Sequence, residues 1–227
     1  MNPSDPNLAK VELIAAALGA LCDELVFVGG CAAGLLMSDP AATPARVTFD
    51  VDLVAEVAAL RDYHQMEAAF ADRGFTRDLS PDAPICRWRY RQIEVDLMPT
   101  DAGILGFASR WYRGAVANAD RVALPSGMRI RLIPAPHFLA TKFEAFADRG
   151  NADVLGSHDL EDIINVIDGR ADDMPVDEER PFPERLRPEH PPEEVNRAAI
   201  GPWRGDAEIG RHHCQPWLPL KAVKRRY

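Results

Sequence analysis

At 227 residues and 25.1 kDa, with 47% hydrophobic and 27% charged residues, the chain has the composition of a globular domain plus an appendage, which excludes disorder throughout. No apolar run approaches the roughly 20 residues of a membrane-spanning helix, and Met1-Asn2-Pro3-Ser4-Asp5 lacks the basic start and apolar core of a signal peptide, so a cytoplasmic protein without membrane contact is expected. A formal net charge of -9 excludes nonspecific wrapping of nucleic acid while leaving room for a local basic groove.

In chain order, Leu8, Val11, Ile14, Ala15, Leu18 and Leu21 follow helical spacing and predict a first amphipathic helix. Leu25-Val26-Phe27-Val28 reads as a buried strand, Gly29-Gly30 ends it, and the small apolar segment Cys31 to Met37 predicts a short helix directly after the turn. After a loop from Pro40 to Pro44, Arg46 to Leu53 alternates with period two and predicts a half-buried strand. A helix from about Leu60 to Arg73 follows, then strands around Trp88 to Tyr90 and Ile93 to Met98 joined by Arg91-Gln92. Short strands over Arg121 to Leu124 and Met128 to Leu132, separated by Pro125-Ser126-Gly127, predict a further hairpin. Helices are expected from about His137 to Arg149 and from Ser157, an N-cap, to Gly169, a C-cap; the second should bury Leu160, Ile163, Ile164 and Ile167.

The composition changes near Arg170. Residues 171–227 hold nine of the nineteen prolines, lack sustained periodicity, and begin acidic (Asp172, Asp173) but end basic (Lys224, Arg225, Arg226), as expected of a poorly ordered tail. The cysteines Cys22, Cys31, Cys86 and Cys214 show no paired spacing and read as free thiols. His64 and His137 have no second ligand at metal spacing and are expected at the surface or in caps, and His212-His213-Cys214 is too short for a metal site. Trp88-Arg89-Tyr90-Arg91, with Arg87, forms a basic and aromatic cluster whose expected use is core and hairpin packing, with base stacking as the other option.

The chemistry concentrates on the two strands that carry acids. On Arg46 to Leu53 the pleat should bury Val47, Phe49, Val51 and Leu53 and leave Arg46, Thr48, Asp50 and Asp52 on the other face. Two carboxylates about 6.5–7 Å apart at Cα, pointing the same way, can converge on divalent ions. Glu94 to Met98 repeats the pattern, with Val95 and Leu97 buried and Asp96 as a possible third ligand for Mg²⁺ or Mn²⁺. Gly29 and Gly30 let backbone N–H groups approach an anion such as a triphosphate. Lys142 shares a helical face with Phe138, Ala145 and Arg149, placing it either in the cleft or over apolar neighbours; Asp159 and Asp162, facing away from Ile163 and Ile167, are its structural partners or those of Arg149. Arg46 could screen Asp50 or touch nucleotide.

In this order and spacing, Phe27-Val28-Gly29-Gly30, Asp50-Val51-Asp52 and Asp96 resemble the DNA polymerase beta-like nucleotidyltransferase superfamily. Arg46 to Leu53 is similar to the R-x-T-x-D-hydrophobic-D-L segment of its bacterial AbiEii-type toxin branch, and Lys142 to Arg149 and Asp159 to Ile163 resemble that branch's K-x-x-A-x-x-x-R and D-x-x-D-hydrophobic helices. The resemblance covers about residues 8–170. It departs from the family at the turn, where Gly-Gly replaces the more common Gly-Ser, and from tRNA-end-adding relatives at Ala32-Ala33-Gly34.

The resemblance implies an α/β (α+β) fold with a small mixed sheet flanked by helices: a core over 1–133 and a helical segment over 134–170 completing the cleft, to which the composition adds the Pro-rich tail over 171–227, where relatives usually continue as helices. It implies Asp50, Asp52 and Asp96 as catalytic metal ligands, Gly29, Gly30 and Lys142 as nucleotide-binding residues, Mg²⁺ or Mn²⁺ as cofactor and an NTP as substrate. The acceptor is expected to be tRNA or another RNA end, and an antitoxin a possible protein partner. Modification of a protein or of a small molecule such as an aminoglycoside is the alternative activity, and an inert nucleotide-binding or partner-binding module the alternative class.

Overall fold

The computed structural model describes residues 5–149, 154 and 156–170, apart from the side chain of Arg149, and these residues belong to one compact unit. The expectations for the tail, including His212-His213-Cys214 and the basic end, and for the side chain of Arg149 fall outside the described residues. A seven-stranded mixed sheet is built from β1 (Leu25–Val28), β2 (Asp50–Ala55), β3 (Thr76–Arg77), β4 (Arg87–Tyr90), β5 (Ile93–Pro99), β6 (Asp120–Ala123) and β7 (Arg129–Leu132), in the spatial order β3-β4-β5-β2-β1-β7-β6. The helices are α1 (Leu8–Leu18), α2 (Ala33–Leu36), α3 (Leu60–Ala71), α4 (Ala102–Leu105), α5 (Tyr112–Ala117), α6 (Ala135–Arg149) and α7 (His158–Asp168). This is the expected mixed sheet flanked by helices, and no helix among the described residues is long and apolar enough to cross a membrane.

Among the three central strands, β1 is apolar and buried along its whole length (Leu25 to Val28), whereas on β2 and β5 the alternating Val51, Leu53, Val95 and Leu97 bury one face and leave Asp50, Asp52 and Asp96 on the other. β2 lies antiparallel to β1 and parallel to β5, which sets Val28 opposite Asp52 and Asp52 opposite Asp96. The Arg91-Gln92 turn is as expected, with Arg91 at φ 55. In the second hairpin Gly127 takes φ 86, a left-handed conformation that glycine adopts without a Cβ clash, as it turns the chain from β6 to β7. Cys22, Cys31 and Cys86 are buried free thiols.

Four expectations about the helices and strands change in the structure. First, β2 begins at Asp50 rather than Arg46. Residues 46–48 are instead paired by a side chain: the Asn7 amide donates to the Arg46 carbonyl (2.8 Å) and accepts from the Thr48 N–H (2.9 Å), and Lys10 donates to the Thr48 carbonyl. Val47 and Phe49, expected in the core, are therefore 56% and 82% exposed.

Second, α7 buries Asp162, Ile163 and Val166 and leaves Ile164 and Ile167 exposed, because ion pairs to Asp162 fix the inward face. Third, α1 stops at Leu18, with Gly19 at φ 58 opening a 3-10 turn that buries Leu21. Fourth, the segment after Gly29 is one 3-10 turn (Gly30–Ala32) and a single helical turn (α2), not a helix over Cys31 to Met37. The elements not anticipated, β3, α4 and α5, are two to six residues long, too short to show a period.

Asn7 is fully buried and takes the place of a neighbouring strand for the backbone leading into β2. Asn7→Ala should lower unfolding free energy by about 1–3 kcal/mol, since the part-buried Arg46 carbonyl and the buried Thr48 N–H lose their partner. Urea unfolding with an unchanged slope would measure it; a change below about 0.5 kcal/mol would show that the amide is dispensable.

Candidate active site

The carboxylates converge where β1, β2 and β5 run side by side. Ligating oxygens of Asp50, Asp52 and Asp96 all lie within 4.8 Å of one another, the one such grouping of acids, histidines or cysteines among the described residues. The parallel register that pairs Asp50 with Glu94 and Asp52 with Asp96 brings them together. Asp96 is buried and the other two are half-buried.

Gly29 closes one side of this cluster. It sits at φ 67, and a Cβ there would lie 1.8 Å from Asp52 Oδ2, so only glycine fits both the turn and its carboxylate neighbour. Gly30 is crowded less severely: a Cβ would meet the side-chain ends Thr48 Cγ2 at 2.6 Å and Arg46 Nη2 at 3.0 Å. With only one helical turn following, any anion here would rely on local N–H groups and on nearby cations more than on a helix dipole.

Those cations form one cluster, with Lys142 and Asp162 buried and Arg46 half-buried. Arg46 Nε lies 2.9 Å from Asp162 Oδ1, and Lys142 Nζ lies 2.7 Å from Asp162 Oδ2 and 3.2 Å from Asp159 Oδ1. Lys142 thus lies inside the protein, bonded to the two α7 acids anticipated as its partners. Burial pulls its ammonium down, but Asp162 and Asp159 outweigh that and hold it above the ordinary lysine value. Arg46 pairs with Asp162, not with Asp50. α7 is fixed for this role at both ends: Ser157 caps it by accepting from the Leu160 N–H, and the Gly169 carbonyl accepts from the N–H groups of Ser38 and Asp39.

Arg87 is the member of the site that the sequence reading did not connect to it. Its Nε and Nη2 donate to the two oxygens of Asp96 at 2.8 Å each, Nη1 donates to Glu94 at 2.5 Å, and Nη2 lies 3.6 Å from Asp50 Oδ2. The signal was present in the two-residue turn, whose register pairs Tyr90 with Ile93 and hence Arg87 with Asp96. The rest of the aromatic cluster packs as expected, Trp88 against Phe70 (5.6 Å) and Tyr90 against Phe75 (4.8 Å). His64 is exposed beside Glu67, whereas His137, expected at the surface or in a cap, is buried against Gly114, away from this cluster.

Electrostatically the cluster is strained. Burial first, then the charges of Asp50 and Asp96, raise the Asp52 carboxyl well above the usual carboxylate range. Burial also raises Asp96, against the opposing pull of Arg87. Arg87 pairs with Asp50, Glu94 and Asp96 but not with Asp52.

No family model matches the chain, and no curated protein does. Among solved structures it is similar to an antigenic nucleotidyltransferase-like protein from Paracoccidioides brasiliensis, at 21% identity and TM-score 0.48 over 73% of this chain and 77% of that one. It is also similar to the antibiotic-resistance factor ANT(2'')-Ia, in solution and as a crystal complex with adenylyl-2''-tobramycin. Both show 16% identity and TM-score 0.46 over 70% of this chain, covering 83% and 87% of theirs.

Because the folded-state values of Asp52 and Asp96 are raised, ionisation costs the folded metal-free protein stability. That cost is absent below the unfolded aspartate value near 3.8 and grows as pH rises through the folded values. With chelator present, Asp52→Asn should melt higher than the wild type at pH 7–8, at about 2–4 °C per kcal/mol recovered, and the gain should vanish as pH falls toward 4. A variant less stable at pH 8 would contradict this.

Proposed function

We propose that the protein is a metal-dependent nucleotidyltransferase that moves a nucleoside monophosphate from an NTP to an acceptor hydroxyl and releases pyrophosphate. The observation that carries this reading is the convergence of Asp50, Asp52 and Asp96 within 4.8 Å beside a glycine turn flanked by the Arg46–Asp162–Lys142 cluster. The donor set fits Mg²⁺ or Mn²⁺: every ligand is a hard oxygen, and one guanidinium only partly offsets three like charges. Asp50 and Asp52 would hold the ion with Asp96 completing the set, and when bound it supplies neutralisation of phosphate charge and acidification of the attacking hydroxyl.

The chain's own groups do the positioning. The N–H groups of Gly29 and Gly30 and the ammonium of Lys142 bind phosphate oxygens and orient the α-phosphorus. Asp96 accepts the acceptor's hydroxyl proton. The acceptor oxygen then bonds to the α-phosphorus as the bond to the bridging oxygen breaks, and that electron pair leaves with pyrophosphate. Fixed charges around a half-buried cleft stabilise the transition state without reorganising.

The acceptor we propose is the hydroxyl of an RNA end, tRNA foremost, with an antitoxin protein as a regulatory partner. What supports this finer reading is the match of Arg46 to Leu53 and of the Lys142 and Asp162 helices to the toxin-type pattern. The test is incubation with each α-labelled NTP, Mg²⁺ or Mn²⁺, and a mixture of total RNA, cell protein and aminoglycosides. Label should enter RNA, and Asp50→Asn with Asp52→Asn should lower it more than about a hundredfold. Undiminished transfer in the double variant would remove the reading, whereas label in protein or aminoglycoside would replace only the acceptor.

A further inference from the structure

Arg87 is held more firmly than a passing ion pair requires. Its backbone N–H donates to the Pro84 carbonyl at 2.9 Å and its carbonyl accepts from the Asp78 N–H at 3.1 Å, so the main chain is fixed on both sides. Every nitrogen of its guanidinium is committed to an acid: Nε to Asp96, Nη2 to Asp96 and Asp50, Nη1 to Glu94. Glu94 is drawn in turn by Arg89 at 3.0 Å, and Arg89 by Asp78 at 2.7 Å, so alternating charges run along β4 and β5 from the surface to the carboxylate cluster. Its side chain is about 10% exposed, which leaves little room for another position.

A fixed guanidinium in this place has two opposed effects. It orients Asp96 by occupying both carboxylate oxygens, with one lone pair on each remaining for another ligand. It also places a permanent positive charge 3.6 Å from an oxygen of Asp50, where it repels any divalent ion that the same oxygens attract. The repulsion is offset once a triphosphate contributes its own negative charge to the cleft.

Resting on the nucleotidyltransferase reading, we propose that Arg87 is a resident counter-cation of the carboxylate cluster, one that keeps its affinity for free divalent ions low and makes metal loading depend on nucleotide. Arg87 is thus a positioning residue for Asp96 and a brake on idle metal binding. Asp162 plays the mirror-image part for Arg46 and Lys142 on the anion side: each half of the site carries its own counter-charge.

The test is the Mn²⁺ dissociation constant of the full chain, by calorimetry and by the paramagnetic resonance of free Mn²⁺. It is measured for wild type, Arg87→Met and Arg87→Lys, with and without a non-hydrolysable NTP analogue. Without nucleotide, Arg87→Met should bind Mn²⁺ at least about tenfold more tightly than wild type, Arg87→Lys should stay within about threefold of it, and the analogue's enhancement should shrink in the Met variant alone. Equal or weaker binding by Arg87→Met, or a Lys variant that follows the Met variant, would overturn the proposal. Should Arg87→Met fail to fold by circular dichroism, Arg87→Gln gives the same comparison with the same signs. Failure of wild type to bind Mn²⁺ even with the analogue would sink the nucleotidyltransferase reading itself, whereas wild-type binding unaltered by Arg87→Met would sink only this inference.

Discussion

Mutual repulsion among three carboxylates on two neighbouring strands is the constraint around which this molecule is arranged. Asp52 and Asp96 face each other across a parallel ladder, and Asp50 stands two residues from Asp52 on the same side of the pleat. In a solvated sheet such a pattern would be unremarkable. Here burial raises its cost, and the fold answers with a glycine that leaves room for Asp52 and an arginine that grips Asp96.

The second half of the site is built on the opposite charge. Arg46 comes from the segment that Asn7 holds in place of a strand, Lys142 from α6, and both are fixed by Asp162 on α7. Elements far apart in sequence therefore meet beside Gly30, and neither cation has to be ordered when a ligand arrives. That ordering spares the side-chain entropy that a flexible cation would lose on meeting an anion. It also explains the rotation of α7: the helix turns Asp162 inward at the expense of Ile164 and Ile167, because leaving the buried Lys142 and the half-buried Arg46 unpaired would cost more than exposing two isoleucines.

Much of this was legible in the sequence, and the limits were physical. Period-two alternation placed Asp50, Asp52 and Asp96 on polar faces, and the sheet register then brought them together as expected. The same alternation failed at Val47 and Phe49, because periodicity cannot show that a side-chain amide, rather than a strand, satisfies the backbone there. On α7 the apolar count favoured Ile164 and Ile167, while the deciding partners, Arg46 and Lys142, lie 116 and 20 residues away in sequence. The bond from Arg87 to Asp96 was within reach of turn geometry alone, since a two-residue loop fixes the residues opposite it; reading Arg87 only as part of an aromatic cluster hid that.

The most direct measurement is a crystal structure of the protein with Mn²⁺ and a non-hydrolysable NTP analogue, with the metal located by its anomalous scattering. The expected result is manganese bound by Asp50 and Asp52, with the triphosphate on the N–H groups of Gly29 and Gly30 and beside Lys142. Manganese bound elsewhere with these carboxylates unliganded, or a nucleotide seated away from the glycine turn, would contradict the account.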